Sequence, residues 1–167
     1  EEAQDSRSQI EETVEALNRF DLPKVWIFPN NDAGCDGIRD GLLMNRKGKV
    51  HIFENLKRED YLGMLKNATC LVGNSSSGIL EAPTFQVPAV NIGNRQAKRL
   101  QGANVINAGY GRDEIASAIE QACSPEFRES LNGSTNPYGA GDSSEKILDI
   151  LVNTPCTAEL LTKQLTY

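Results

Sequence analysis

No stretch of about eighteen consecutive apolar residues occurs in this chain, so no segment reads as a membrane-spanning helix. Cationic charge is also scarce. Seventeen lysines and arginines stand against 23 aspartates and glutamates, a net charge of −6. A general nucleic-acid surface needs the opposite balance, because cations hold the phosphate backbone. A single nucleotide is a different matter, since a few backbone amides and one or two arginines bind a diphosphate locally. The four cysteines, Cys35, Cys70, Cys123 and Cys156, form no CxxC pair and show no zinc-like spacing. They read as reduced thiols of a cytoplasmic protein, with no disulfide framework. The acidic start "EEAQDSRSQIEE" is no secretory leader. It lacks an initiator methionine, so the chain reads as processed or cut. Neither GxGxxG nor a Walker lysine motif is present.

What is present is an alternation of short apolar runs and helical periodicities. Ile10, Val14 and Leu17 recur at helical spacing after Ser6 and Ser8. "KVWIF" (24–28), "KVHIF" (49–53), "TCLV" (69–72), "PAVNI" (88–92) and "ANVINA" (103–108) read as strands. Helices are expected through "IRDGLLMNR", "REDYLGMLKNA", a short turn from about Gly78 limited by Pro83, a segment starting near Arg112, and "SSEKILDILVN". The strands are apolar without clean alternation, as when both faces are covered. That pattern predicts parallel βαβ units in an open, doubly wound α/β sheet. One domain over 1–153 is expected, followed by an uninformative tail, 154–167.

"LVGNSSSGILEAP", from Leu71 to Pro83, carries the chemistry. Ligands of such sheets sit beyond the carboxyl ends of the strands. The turn lies at that end of the third strand and opens a helix, whose free N–H groups favour an anion. Ser75, Ser76 and Ser77 therefore make a candidate phosphate cradle. Serine is also a favoured helix cap, and the turn alone leaves both readings open. Glu81 adds a carboxylate nearby, a poor neighbour for phosphate but a good acceptor for two vicinal ribose hydroxyls. Together they suggest a nucleoside diphosphate. Arg95, just after the fourth strand, is within reach of the diphosphate. Lys98 and Arg99 read as surface charge. His51, mid-strand, reads as structural.

Four ordered segments, "FPNNDAG" (28–34), "GNSSSGILEAP" (73–83), "VPAVNIGNRQAKR" (87–99) and "NPYGAGDSSEKILDIL" (136–151), resemble the C-terminal half of the hydrolysing UDP-N-acetylglucosamine 2-epimerases of sialic and related nonulosonic acid pathways. The resemblance implies the UDP-binding, Rossmann-like domain of a two-domain, glycosyltransferase-B type enzyme. It implies elimination of UDP from the UDP-sugar and addition of water, with no metal and no nicotinamide cofactor. By position, Ser75 and Ser76 would hold the diphosphate, Glu81 the ribose, and Arg95 would lie near the phosphates. Asn30, Asn31 and Asp32 would face the sugar. Tyr61 matches an aromatic position near the uracil, and Tyr138 with Gly139 lies near the cleft. The acid/base carboxylates of the family belong to the N-terminal domain, and a histidine of the family precedes the first helix of this half. No catalytic residue is therefore assigned to this chain, which is expected to be inactive without that partner domain. An exposed former domain face would favour self-association. Two other readings use the same turn: the donor domain of a UDP-sugar glycosyltransferase, and a non-catalytic UDP-sugar-binding module.

Overall fold

A computed structural model describes residues 6–28, 35–45 and 47–162. The chain forms two compact units, Glu1–Pro137 and Tyr138–Tyr167.

In the first unit, α1 (Ser6–Leu17) leads to β1 (Lys24–Ile27), then α2 (Cys35–Asn45), β2 (Val50–Phe53), α3 (Arg58–Asn67) and β3 (Leu71–Gly73). A single turn, α4 (Ser77–Leu80), continues as a 3-10 turn over Ala82–Phe85; β4 (Ala89–Ile92), β5 (Val105–Ala108), α5 (Arg112–Cys123) and α6 (Pro125–Ser130) follow. All five expected strands form. Every pairing is parallel, β1 with β2 and β3–β4–β5 as a set of three. The fold class is therefore the expected one, α/β with parallel sheets.

Burial explains why these runs are apolar on both sides. Val72 and Val90 pack with Ala16 of α1 and with Ile115 and Ile119 of α5. Their neighbours Leu71 and Ala89 point the other way, onto Leu65 of α3 and Ala82. Alternate residues of one strand thus feed two cores, one per face. Under the first sheet, Trp26 of β1 packs against Val14 and Leu42, while Val25 and Ile27 on the opposite face stay 47% and 38% exposed. Helix α1 serves both sheets, with Val14 in one core and Ala16 in the other. Arg112 at the start of α5 ties α1 down by donating through Nη2 to Glu12 at 2.6 Å and by pairing with Glu15.

Helix α6 was not expected from periodicity, since six residues hold no full apolar pattern. Its start is explained locally: Pro125 is the first residue, and Ser124 Oγ accepts the Phe127 N–H at 3.2 Å. The second unit holds α7 (Ser143–Asn153) and α8 (Ala158–Leu161). Among the described residues, no helix is long and apolar enough to cross a membrane.

Candidate functional site

The serine turn sits at the carboxyl end of β3, where the sequence puts it. Gly73 ends the strand with φ +143, a conformation that disfavours a side chain. Ser76 is the N-cap position of α4, yet its side chain makes no capping bond. The capping reading therefore fails for Ser76, and its hydroxyl serves no helix end. Ser75 Oγ accepts the Ser77 N–H at 3.3 Å and otherwise faces outward. Ser77 differs from both. It is buried, and its hydroxyl is bonded to the Tyr61 hydroxyl of α3. Burial pushes the Tyr61 phenol above its ordinary value, so it stays neutral and keeps that bond across the working pH range. Helix α4 is only one turn long, so a macrodipole contributes little. Local N–H groups and hydroxyls carry any affinity for an anion.

Glu81 closes that same turn, its N–H donating to Ser77 O at 3.0 Å. Its carboxylate is a quarter exposed and lies 3.7 Å from Arg58 of α3. Helix α3 therefore delivers two side chains to the turn, Tyr61 at Ser77 and Arg58 at Glu81. Arg58 was not anticipated from the sequence, because an exposed arginine in "KRED" looks like any solvated charge.

Behind the turn, buried amides hold the backbone. Asn104, 1% exposed, donates from Nδ2 to Gly78 O at 3.1 Å and to Val87 O at 3.0 Å. Gly78 packs closely on β4: a Cβ there would meet the Ala89 methyl at 3.3 Å, a tight contact. Gln96, also buried, donates from Nε2 to Asn74 O at 2.9 Å. This bond fastens the loop carrying Arg95 to the serine turn. Arg95 itself is exposed. Arg99 donates to Gln96 Oε1 at 3.2 Å, and Lys98 is exposed to solvent. Sequence reasoning missed Asn104 and Gln96; for Asn104 the signal available was an amide inside the apolar run 103–108, whereas Gln96, in the largely polar stretch 94–99, gave none.

Ser75 borders a small void of about 10 Å³ among Leu71, Val72, Ile79, Ala89 and Val90, room for about one water and not for a nucleotide. Asn30, Asn31 and Asp32 lie outside the described residues. Tyr138 and Gly139 belong to the second unit, ahead of α7. His51 lies exposed on β2, outside the sheet that carries the turn. Among the described residues, no three histidine, cysteine or carboxylate side chains gather as metal ligands would.

Comparison with known proteins bears on the family and the fold. The family model for UDP-N-acetylglucosamine 2-epimerase matches residues 1–152. The chain is 37% identical over 132 residues to a UDP-N-acetylglucosamine 2-epimerase of Neisseria meningitidis, covering 77% of this chain and 34% of that protein. It is 31% identical over 157 residues to a hydrolysing UDP-N,N'-diacetylbacillosamine 2-epimerase of Legionella pneumophila, covering 93% and 40% respectively. A crystal structure of a Neisseria meningitidis UDP-GlcNAc 2-epimerase bound to UDP-GlcNAc shares the fold at TM-score 0.73 and 18% identity, over 90% of this chain and 42% of that one. The chain thus spans between a third and two fifths of the length of these relatives. By the family model and by these sequences, it belongs to the UDP-N-acetylglucosamine 2-epimerase family.

Proposed function

We infer that this chain is the UDP-holding part of a hydrolysing UDP-N-acetylglucosamine 2-epimerase of the nonulosonic acid pathways. The reaction converts UDP-N-acetylglucosamine and water into N-acetylmannosamine and UDP. The proton on C2 is removed and the C1–O bond to UDP breaks, leaving an unsaturated sugar. Water then returns a proton to C2 on the other face and a hydroxyl to C1.

The observation that supports this reading most is the convergence at the end of β3. The hydroxyls of exposed Ser75 and half-buried Ser76 adjoin a carboxylate one helical turn later, with the aromatic Tyr61 alongside. In this reading Ser75 and Ser76 donate to the diphosphate. Glu81 accepts from the ribose hydroxyls and exchanges its contact with Arg58 for them. Ser77 acts as a strut, bonded to Tyr61, whose ring lies toward the uracil. Arg95 approaches the phosphates from the loop that Gln96 fastens to Asn74. Asn30, Asn31 and Asp32 face the sugar. General acid–base work needs groups within hydrogen-bond reach of the C2 proton, and His51 on β2 is not such a group. Those groups come from the remaining polypeptide of the enzyme, the second partner of the cleft.

Calorimetric titration with UDP tests the nucleotide assignment. Binding is expected, and a chain that takes up no UDP would overturn it. Incubation with UDP-N-acetylglucosamine tests the division of labour. No sustained UDP release is expected from this chain alone; steady turnover would show that it carries its own catalytic groups.

A further inference from the structure

A helix of a single turn leaves most of its carbonyls without a donor of its own. Side-chain amides from distant segments serve them in α4. Gly78 O accepts from Asn104, as described above. Leu80 O accepts from Nδ2 of Asn136, 56 residues further along the chain, at 2.8 Å. The same nitrogen donates to Thr84 Oγ1 at 2.8 Å, one hydrogen to each acceptor. Asn136 therefore spans the junction between α4 and the 3-10 turn. Glu81 is the residue at that junction, the last cap of one element and the first cap of the other.

The peptide unit joining Leu80 to Glu81 is thus held at both ends. Its carbonyl accepts from Asn136, and its N–H donates to Ser77 O at 3.0 Å. On the far side of the residue, Glu81 O accepts the Thr84 N–H at 3.1 Å. The side chain is held less firmly, since Arg58 lies 3.7 Å away and is itself largely solvated. The direction of the carboxylate therefore comes mainly from the backbone beneath it. Asn136 is half-buried and well anchored for this task. Pro137 restricts it to extended conformations. Pro137 and Pro83 both pack about Gly102, where a Cβ would meet them at 3.3 and 3.6 Å. The segment that carries Asn136 thus rests on the 3-10 turn that it ties to α4.

We propose that Asn136 is a positioning residue that aims the Glu81 carboxylate at both vicinal hydroxyls of a ribose, and so makes the site select a ribonucleotide over its 2′-deoxy analogue. The proposal rests on the nucleotide reading above and adds a specificity to it. A carboxylate takes two parallel hydrogen bonds only when its plane is set toward both donors. A carboxylate that swings takes one hydroxyl at a time, and the second hydroxyl then adds little. A site built to bond a hydroxyl rejects the analogue that lacks it, because its own polar group is left unpaired. Glu81 is a quarter exposed and has Arg58 as a substitute partner, so the rejection is moderate.

Two measurements on the 167-residue chain test this, one without any nucleotide. Amide hydrogen exchange followed by NMR compares the native chain with Asn136→Ala and Thr84→Val. The Glu81 amide is expected to be protected in the native chain and to exchange at least about tenfold faster in Asn136→Ala, with Val90 and Ile115 unchanged. Thr84→Val removes one acceptor but keeps the bond to Leu80 O, and should leave Glu81 protected. Asn136→Asp, which keeps the shape and loses the donor, is expected to match Asn136→Ala and replaces it if that variant does not fold. Calorimetry then compares UDP with 2′-deoxy-UDP. The native chain is expected to favour UDP about tenfold, and Asn136→Ala less than about threefold, through weaker UDP binding at an unchanged 2′-deoxy-UDP affinity. A Glu81 amide that exchanges freely in the native chain, or that does not respond to either Asn136 variant, would overturn the proposal whatever the nucleotide does. Equal losses of both nucleotides would overturn it too, as a merely structural role. A responding Glu81 amide in a chain that takes up no UDP would instead overturn the nucleotide reading, and the ribose selectivity with it.

Discussion

The three-stranded sheet and the two-stranded sheet of the first unit are built from similar five-residue apolar runs, yet they end in different states. All four residues of β4 are buried, covered by α5 and α1 on one face and by α3 and α4 on the other. In β1 only Trp26 is buried, and the alternate residues look into solvent. The composition of a strand thus reports how many faces it is meant to cover, and not how many are covered in this chain. The doubly covered sheet is the one that carries the serine turn. A site that must hold two hydroxyls and a carboxylate in fixed relation needs a backbone that does not move beneath them.

Truncating the doubly covered core should cost most. Ile115, fully buried under β4, is expected to lose about 2–5 kcal/mol as Ile115→Ala. Val25→Ala on the bare face of β1 is expected to lose less than about 1 kcal/mol. Urea unfolding midpoints of the two variants measure the contrast directly, and equal losses would erase it.

Next in size is Asn104→Ala. It leaves the carbonyls of Gly78 and Val87 without their donor, at a cost of about 1–3 kcal/mol. Because Gly78 lies in α4 next to Ser77, UDP affinity should fall with stability, unlike for a core variant at Ile115 measured well below its unfolding midpoint. Glu81→Gln sharpens the same point from the ligand side. Loss of a charged acceptor is expected to weaken UDP about tenfold, about 1.4 kcal/mol. The urea midpoint should hardly move, since the Arg58 contact is long and largely solvated.

The smallest effect concerns the tie between α1 and α5. Hydrogen bonds from Arg112 hold the Glu12 carboxyl below its ordinary value of 4.5. A carboxylate depressed in the folded state stabilises above its unfolded value and loses that contribution as pH falls through the folded one. The thermal midpoint of the native chain should therefore exceed that of Glu12→Gln slightly at pH 7. The gap should close as the pH drops below 4.5. A gap that persists in acid would mean that the pair acts by packing and not by charge.

Much of this was legible in the sequence. "KVWIF", "PAVNI" and the 3.6-residue spacing of Ile115, Ile119 and Ala122 announce their elements, because burial and backbone period are local properties. Ser75, Ser76 and Glu81 could be picked out as residue types close together in one turn, and Tyr61 entered through the family resemblance. Less legible was the division among the three serines. Nothing in "SSS" says that Ser77 turns inward to the Tyr61 hydroxyl while Ser75 stays exposed. The supporting amides Asn104 and Gln96 were invisible for a related reason: each acts on a backbone carbonyl more than fifteen residues away. The Cys70 thiol, pushed up to about 12 chiefly by burial, hydrogen-bonds with Cys123 Sγ at 4.0 Å, and the two form no disulfide. That pairing too joins elements 53 residues apart.

By itself the amino-acid order determined which segments are strands and helices, that the strands run parallel, and which turn offers hydroxyls beside a carboxylate. These follow from short-range sterics and from the matching of apolar period to backbone period. Tertiary structure alone decided which serine is a strut, which arginine meets Glu81, and that β4 is covered on both faces while Val25 and Ile27 of β1 are exposed. Those outcomes depend on contacts between segments distant along the chain, and no local pattern encodes the distance that folding closes.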